Sequence, residues 1–357
     1  MLYRVILSKL LLCSAVVAVV ALPARAQKTP GSTAAVAATP NQVRGDEITA
    51  EQQAAVARGL EFLASRQAPD GSLGPPGITA LGGLAFMENG NLPGRGKYGD
   101  NVKKCLDFVL ANCQESGLIA SNADGGGPMY GHGFATLFLA EVYGMSPTDD
   151  VKERLQRAVR LIEKCQNPEG GWRYQPAPVD ADISVTICQV MALRAARDAG
   201  IKVEKDVIDK AIAYVRSCQN PDGGFSYMSH GATGSGFARS AAGVASLYYA
   251  GVFEGDELKR GLDYLKRFAN GGAGATGFEG HFYYGNYYAV QAMFLAGGNY
   301  WKTFYPAIRD QLIARQDRSS GGFAGDYSPE YATAMAMIIL QMPNRYLPVY
   351  NGKGPGE

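Results

Sequence analysis

The sequence repeats one short phrase, and this repetition limits the possible folds more than any other feature. "CQNPEGGW" occupies residues 165–172, and "CQNPDGGF" follows at 218–225. Looser copies occur along the chain at spacings of 46 to 53 residues, each marked by a glutamine or, once, by an asparagine. The six markers are Gln67, Gln114, Gln166, Gln219, Asn270 and Gln316. Such a period is typical of a chain built from repeated supersecondary units.

Each unit contains two helical patterns of different polarity. The segment before the phrase, such as "LQRAVRLIEKCQ", has apolar residues at i, i+3, i+4 and i+7 with charges between them. The segment after the phrase, such as "GFARSAAGVASLYYAG", is apolar on nearly every side, which is typical of a buried helix. Six such pairs predict twelve helices in two layers. The pattern does not decide between an open solenoid and a closed ring.

The two ends of the chain differ from the repeats. Residues 1–26 begin with two basic residues, Arg4 and Lys9, followed by an apolar run and a small-x-small pattern, which predicts a cleaved secretory signal peptide. Residues 27–47, rich in Ala, Thr and Pro, are predicted to be a flexible leader, and residues 343–357 a C-terminal tail. We therefore expect a periplasmic or secreted protein whose mature chain has no membrane span.

The phrase itself is predicted to be structural. Asn-Pro, an acidic residue and two glycines favour a helix stop followed by a tight turn. Five cysteines remain after the signal peptide, and an odd number argues against a complete set of disulfides. We interpret them as small buried side chains. The five are Cys105, Cys113, Cys165, Cys188 and Cys218.

The charge balance excludes one class of partner. The chain has 34 basic and 33 acidic residues, a net charge of +1, and no basic block longer than two residues. A nucleic-acid partner requires clustered positive charge, so none is expected.

Taken together, the repeated unit resembles the QW-type repeat of squalene–hopene cyclases and the related repeat of protein prenyltransferase β subunits. It also resembles a group of exported bacterial proteins that have these repeats. The resemblance implies an all-α (α/α)6 toroid over residues 48–342, with six inner helices inside six outer ones. It further implies that Gln166 connects an outer helix end to the next inner helix and that Trp172 stacks in that joint.

The resemblance to class II terpene cyclases directs attention to "VDADISVT" at residues 179–186. Those enzymes protonate an alkene with the middle Asp of an Asp-x-Asp-Asp motif, which implies Asp182 as the catalytic acid with Asp180 beside it. Ile183 stands where the third Asp would be. This chemistry also requires that burial raise the pKa of Asp182. Alternatively, Asp182 followed by Ser184 is a good helix N-cap with no catalytic role.

No metal and no cofactor is expected. Prenyltransferases hold zinc through Asp, Cys and His, with the Asp and Cys two residues apart, and this sequence has no Asp-x-Cys. The spacings of His132, His230 and His281 do not support a zinc site. The glycine runs "GATGSG" and "GGAGATG" do not follow strand patterns, which argues against a dinucleotide site.

The starts of the second helices form the predicted ligand site, because in a toroid they would ring one mouth of a central funnel. An alignment of these helices puts His132, Asp182 and Asn286 at one position, with Arg239 at the start of another helix. The full predicted rim is His132, Arg239, His281, Tyr284, Asn286, Tyr287, Tyr288 and Tyr331. Aromatic residues beside a few polar ones suit an apolar or isoprenoid-like molecule, a sugar or a peptide.

Three functions stay open at this level. The incomplete acidic motif favours an exported binding or scaffold protein that uses the central funnel or its rim. The first alternative is a class II terpene cyclase-like isomerase with Asp182 as the proton donor. The second is a polysaccharide lyase or hydrolase, since α/α toroids also host such enzymes, with His132, Arg239 and Tyr288 as candidate groups. A fold alone does not decide among them.

Overall fold

The computed structural model describes residues 47–124, 127–231, 233–268, 281–325 and 327–350. The predicted signal peptide, nearly all of the predicted leader and the marker Asn270 lie outside these ranges. Within them the chain forms twelve α-helices and no strand. The helices are α1 Ala50–Arg66, α2 Pro76–Met87, α3 Gly99–Ala111, α4 Met129–Met145, α5 Asp149–Lys164, α6 Ile183–Asp198, α7 Lys205–Ser217, α8 Phe237–Ala250, α9 Asp256–Lys266, α10 Phe282–Ala296, α11 Gly298–Arg315 and α12 Pro329–Gln341.

The even-numbered helices form a closed inner ring. Each of them contacts the next even-numbered helix, and α12 contacts α2, so the ring has no open end. The odd-numbered helices pack outside this ring. The all-α toroid is therefore confirmed, and the structure settles the closure that the sequence left undecided.

The polarity of the helices explains the two layers. The outer helix α5 buries one stripe, including Val151, Leu155 and Ile162, and turns its charged side chains to water. The inner helix α12 buries every residue from Tyr331 to Gln341. Small residues let the inner helices approach closely, since a Cβ at Gly133 of α4 would lie 3.0 Å from a backbone atom of α6.

The repeated phrase joins one outer helix to the next outer helix. Gln166 Nε2 donates to the carbonyl of Gly170 at 2.9 Å and to that of Val207, at the start of α7, at 2.8 Å. Gly170 has φ of +100°, and a Cβ there would lie 2.2 Å from the carbonyl oxygen of Lys210. The resemblance implied that Gln166 reaches the next inner helix. The structure corrects this, because the turn docks on the neighbouring outer helix.

The same joint occurs at Gln67 and Gln219, and at Gln316 it closes the outer ring. Gln316 donates to the carbonyls of Gly321 and Ala55, both at 2.8 Å, and Ala55 belongs to α1. The last phrase of the chain therefore holds the first helix.

The residue that ends a phrase, aromatic in three of the described units, makes the connection to the inner helix. The backbone N–H of Trp172 donates to Thr186 Oγ1 in α6 at 3.1 Å, and its indole N–H donates to the carbonyl of Ile162 at 2.7 Å. Phe225 and Phe323 make the equivalent backbone bonds to hydroxyls of α8 and α12. Trp172 is buried in the joint that the resemblance implied for it.

Residues 343–350, the first part of the predicted tail, pack against the ring. Leu347, Val349 and Tyr350 are buried, and Pro348–Tyr350 contacts α4 and α6. This segment covers the ring at the ends of the inner helices. Burial raises the pKa of Glu141, near Val349, to about 8, because the carboxylate loses its hydration.

We predict that Gly321→Ala opens the joint that closes the ring. Gly321 has φ of +79°, and an added Cβ would lie 2.5 Å from the carbonyl oxygen of Arg58 in α1. We expect the free energy of unfolding to fall by about 3 kcal/mol, measured by denaturant titration.

Gly200→Ala is the matched control for this variant. Gly200 has φ of +85° with no atom within 4 Å of an added Cβ. Its free energy of unfolding should fall by only about 1 kcal/mol, because a side chain at a positive φ strains the backbone. Equal losses in the two variants would show that the contact with Arg58 does not matter.

Candidate functional site

A cavity of about 930 Å³ opens at the N-terminal ends of the inner helices, opposite the end covered by residues 347–350. We call this cavity the funnel. Its lining comes from the first turns of the inner helices and from the loops that precede them. Aromatic rings make up much of the wall. They include Tyr130, Phe134, Tyr174, Tyr227, Tyr284, Tyr327 and Tyr331.

Several hydroxyl groups of these tyrosines bond to the protein. Tyr284 Oη donates to the carbonyl of Ser184 at 2.6 Å, and the hydroxyls of Tyr174 and Tyr227 bond to each other. Tyr130 packs against Tyr174 and, edge-on, against Tyr284, with ring centroids 6.0 and 6.4 Å apart. Burial raises the pKa of Tyr130 and Tyr227, so these phenols are neutral at physiological pH. The funnel wall therefore presents carbon surface more than free hydroxyls.

Beside the aromatic residues, the lining includes Asp124, Arg239 and His281. Asp124 Oδ2 accepts hydrogen bonds from the backbone N–H and the hydroxyl of Ser121. Arg239 lies in the first turn of α8, and His281 is the exposed residue immediately before α10. These groups give the mouth of the funnel a carboxyl, a guanidinium and an imidazole group.

Asp182 is a fully buried N-cap of α6 and does not line the funnel. Its Oδ1 accepts the backbone N–H groups of Ser184 and Val185 at 2.8 and 2.9 Å. Arg173 Nε lies 3.8 Å from Oδ2, and the same guanidinium bonds to the half-exposed Asp180. Burial raises the pKa of Asp182 to about 6, although the two N–H bonds and a bond with Tyr227 oppose the shift.

The structure places His132 away from the rim. It is the fourth residue of α4, it is buried, and its Nδ1 accepts the backbone N–H of Ile119 at 3.1 Å. Thr186 and Ser240, the fourth residues of α6 and α8, accept the same bond in their units. His132 therefore corresponds to Thr186 and not to Asp182, and the predicted alignment was wrong by one helical turn.

The remaining predicted rim residues divide into two groups. Arg239, His281, Tyr284 and Tyr331 line the funnel, as shown above. The others are buried and outside its lining. Asn286 Nδ2 donates to the carbonyl of Phe282, Tyr287 Oη lies 3.6 Å from Met191 Sδ, and Tyr288 Oη lies 3.3 Å from Cys188 Sγ.

The sequence contained a signal for two lining residues that the prediction missed. Tyr174 and Tyr227 each stand two residues after the aromatic residue that ends a phrase, in "GGWRY" and "GGFSY". Because these two phrases dock at the starts of α6 and α8, a residue just beyond each phrase reaches the funnel mouth. Tyr130, Phe134 and Tyr327 follow no such pattern.

The residues that the structure describes hold no group of three or more His, Cys, Asp and Glu side chains that could bind a metal ion. None of the helices in this part of the chain is long and apolar enough to cross a bilayer.

Solved structures with the same architecture have different activities. The type II terpene cyclase MstE from Scytonema has a TM-score of 0.60 at 14% identity, over 84% of this chain and 100% of that chain. An α-1,6-mannanase of Salegentibacter sp. has a TM-score of 0.55 at 10% identity, over 83% and 99%. A sugar epimerase from a ruminal bacterium has a TM-score of 0.52 at 15% identity, over 74% and 86%. At these identities the likeness shows the fold alone.

The family is shown by the sequence itself. Among curated proteins, none matches this chain. The family model of the prenyltransferase alpha-alpha toroid domain matches residues 132–328, which is more than half of the chain. The helices that form the funnel fall largely inside this match. The chain belongs to the prenyltransferase alpha-alpha toroid family.

Proposed function

We propose that the protein binds one apolar, isoprenoid-like molecule in the funnel. The observation that carries this proposal is the wall of aromatic rings around a cavity of about 930 Å³. This volume lies near the upper end of the range for small-molecule sites, about 300–1,000 Å³. Large ring surfaces that lose water on binding give an apolar ligand most of its affinity.

The hydrogen-bonding state of the wall favours an apolar ligand over a sugar. A sugar requires many directed polar partners, since each buried hydroxyl without one is unfavourable. The hydroxyls of Tyr174, Tyr227 and Tyr284 already have partners within the protein. The carbonyl of Ser184 is also occupied, because it accepts the bond from Tyr284.

Relatives of the same fold show that a toroid can take either class of ligand. A variant of MstE was solved with geranylgeranyl dihydroxybenzoate as substrate, and a variant of the mannanase with α-1,6-mannotriose. The tyrosine-lined funnel of this chain supports the first class. The signal peptide predicted at residues 1–26 supports binding or carriage of such a molecule outside the cytoplasm.

We predict that Tyr130→Ala weakens binding of farnesol to the purified protein. Tyr130 forms part of the wall and contacts Tyr174 and Tyr284. Loss of one large ring surface should lower the affinity about 10- to 100-fold in a calorimetric titration.

The control for this variant is Tyr346→Ala. Tyr346 is 52% exposed and lies outside the funnel. Its replacement should leave the affinity for farnesol unchanged. Binding of mannotriose without binding of farnesol would contradict the proposal, and mass spectrometry of a solvent extract would identify any ligand that co-purifies.

A second candidate, a cyclase-like proton transfer from Asp182, has one specific observation in its favour. A carboxyl group with a pKa of about 6 is about one-tenth protonated at pH 7, a much larger fraction than for an ordinary aspartate, and a general acid must be protonated to act. Asp182 interacts with Tyr227, which lines the funnel, although its own carboxyl does not. Two observations argue against this role: position 183 is not acidic, and Asp182 already serves as the N-cap of α6.

We predict that Asp182→Asn is more stable than the wild type above pH 6. The pKa of the folded protein, about 6, exceeds the unfolded value of about 3.8. The wild type therefore loses stability as the pH rises from 4 to 6, by about 3 kcal/mol, whereas an amide keeps the cap without this loss. Thermal melting between pH 4 and pH 8 measures the difference.

Asp180→Asn is the control, because Asp180 is half-exposed in the same loop. It should follow the pH profile of the wild type. If Asp182→Asn also abolished turnover of an isoprenoid while it kept the affinity for farnesol, the acid would be catalytic. Full turnover by this variant would exclude that role.

A further inference from the structure

A second cavity, of about 310 Å³, lies at the opposite end of the ring from the funnel. It is bounded by the first turns of α1, the C-terminal ends of α2 and α12, and the segment that follows α12. The length of α2, about 18 Å, separates it from the funnel. We call this cavity the amide pocket. Its polar and aromatic lining includes Gln53, Asn89, Gln341, Asn344, Tyr98 and Tyr346.

The amide groups of this pocket are held in place by the protein. Asn89 Nδ2 donates to Gln341 Oε1 at 2.9 Å, and Gln341 Nε2 donates to the carbonyl of Ala85 at 3.0 Å. Asn344 Nδ2 donates to the carbonyl of Glu88 at 3.1 Å. These bonds use the amide nitrogens and leave the Oδ1 atoms of Asn89 and Asn344 as acceptors for a ligand. Polar groups that are already oriented lose little entropy when a ligand binds.

Tyr98 adds a hydroxyl donor that lacks an acceptor. Its side chain is buried, its ring stacks on Phe86 with centroids 5.1 Å apart, and its backbone N–H donates to Asn91 Oδ1 at 2.9 Å. Among the residues that the structure describes, none accepts a hydrogen bond from the Tyr98 hydroxyl. A buried hydroxyl without an acceptor is unfavourable, and the amide pocket is the space beside it that a partner can enter.

The edge of the pocket has an exposed aromatic ring and no unpaired charge. Tyr346 is 52% exposed, and its ring lies beside Gly90, where an added Cβ would be 3.6 Å from the ring. Lys97 is the only charged residue among the described residues that line the pocket, and its ammonium pairs with Glu61 at 3.0 Å. The pocket thus offers hydrogen-bond donors, acceptors and a ring face to a neutral ligand.

We propose that the amide pocket binds a neutral sugar unit. Adjacent hydroxyls of a sugar donate and accept hydrogen bonds, as planar amides do, and the C–H face of a sugar ring packs on an aromatic side chain. A volume of about 310 Å³, at the lower end of the range for small-molecule sites, suits one or two such rings. The proposal goes beyond the apolar ligand of the funnel and does not rest on it.

Saturation-transfer NMR on the purified protein tests this site with four sugars, glucose, galactose, mannose and N-acetylglucosamine. Trialanine serves as a peptide probe, because amides also bind peptide backbones. We expect at least one sugar to bind with a dissociation constant on the order of 1 mM, as its small number of atoms allows. Trialanine should not bind.

Variants of exposed side chains locate the sugar. Gln53→Ala removes one amide from α1, and Tyr346→Ala removes the ring at the edge. Each should weaken sugar binding by about 3- to 10-fold. Tyr130→Ala, in the wall of the funnel, should leave the affinity for the sugar unchanged. Melting curves confirm that each variant is folded.

A pair of matched variants tests the buried hydroxyl. Tyr98→Phe removes only the hydroxyl and keeps the ring stacked on Phe86, so it should weaken sugar binding by about 3- to 10-fold. Tyr214→Phe is the control, since its hydroxyl is also buried without a partner but lies outside both cavities. It should bind the sugar as the wild type does.

The outcomes decide the proposal. A loss of affinity in any of Gln53→Ala, Tyr346→Ala and Tyr98→Phe, with both control variants unchanged, supports the sugar site. If all three bind the sugar as the wild type does, or if only Tyr130→Ala loses it, the sugar lies elsewhere and the proposal is wrong. It is also wrong if no sugar binds at about 20 mM, or if trialanine alone binds.

Discussion

The toroid depends on one repeated interaction, the bond from a glutamine side chain to the backbone of the next outer helix. Gln166 and Gln316 each satisfy one carbonyl of their own turn and one carbonyl of the following unit. The Nε2 partners are backbone atoms, whereas the Oε1 of Gln67, Gln219 and Gln316 accepts a hydrogen bond from a side chain of the neighbouring outer helix. The first glycine of the turn makes the approach possible, since no Cβ fits against the adjacent carbonyl oxygen. The ring closes because the last of these turns, at Gln316, bonds to α1.

This joint also fixes where the funnel lies. The residue after the two glycines, such as Trp172, bonds to the fourth or fifth residue of the inner helix, so these phrases are tied to the same end of the ring. The loops that follow are thereby held over the starts of the inner helices. Six helix N-termini then face one opening, and aromatic and polar side chains from these loops and from the helix starts line it. The structural repeat thus produces a site in which the individual units need not be alike.

The periodic features of the fold could be predicted from the sequence, and the features that depend on packing partners could not. The spacing of the glutamines and the two polarities of helix predict twelve helices in two layers. The predicted contact of Gln166 with an inner helix was wrong, because the repeat pattern shows which side chain recurs but not which helix it bonds to. His132 was misplaced for a related reason. Any hydrogen-bond acceptor serves at the fourth position of an inner helix, so a histidine there carries no information about chemistry.

The sequence predicted only some of the residues that line the funnel. Tyr284 and Tyr331 line it because they stand in the first turns of inner helices, which a helical pattern can locate. Tyr287 and Tyr288 are only three and four residues further along α10 than Tyr284, yet they lie outside the lining. The helical rotation that decides which side chains face the axis follows from packing against α6 and α8. A single sequence does not contain that angle.

The covered end of the ring has a consequence for the order of folding. Residues 347–350 are buried among the inner helices and Gln316 holds α1, so these contacts form only in the complete ring. During synthesis the apolar faces of the first units are made long before their last partners. Contacts over such large sequence separations form slowly, because the intervening chain must be ordered first. We therefore expect the docking of residues 347–350 to be a late step, after which the hydrophobic interior is inaccessible to other proteins, including proteases and chaperones.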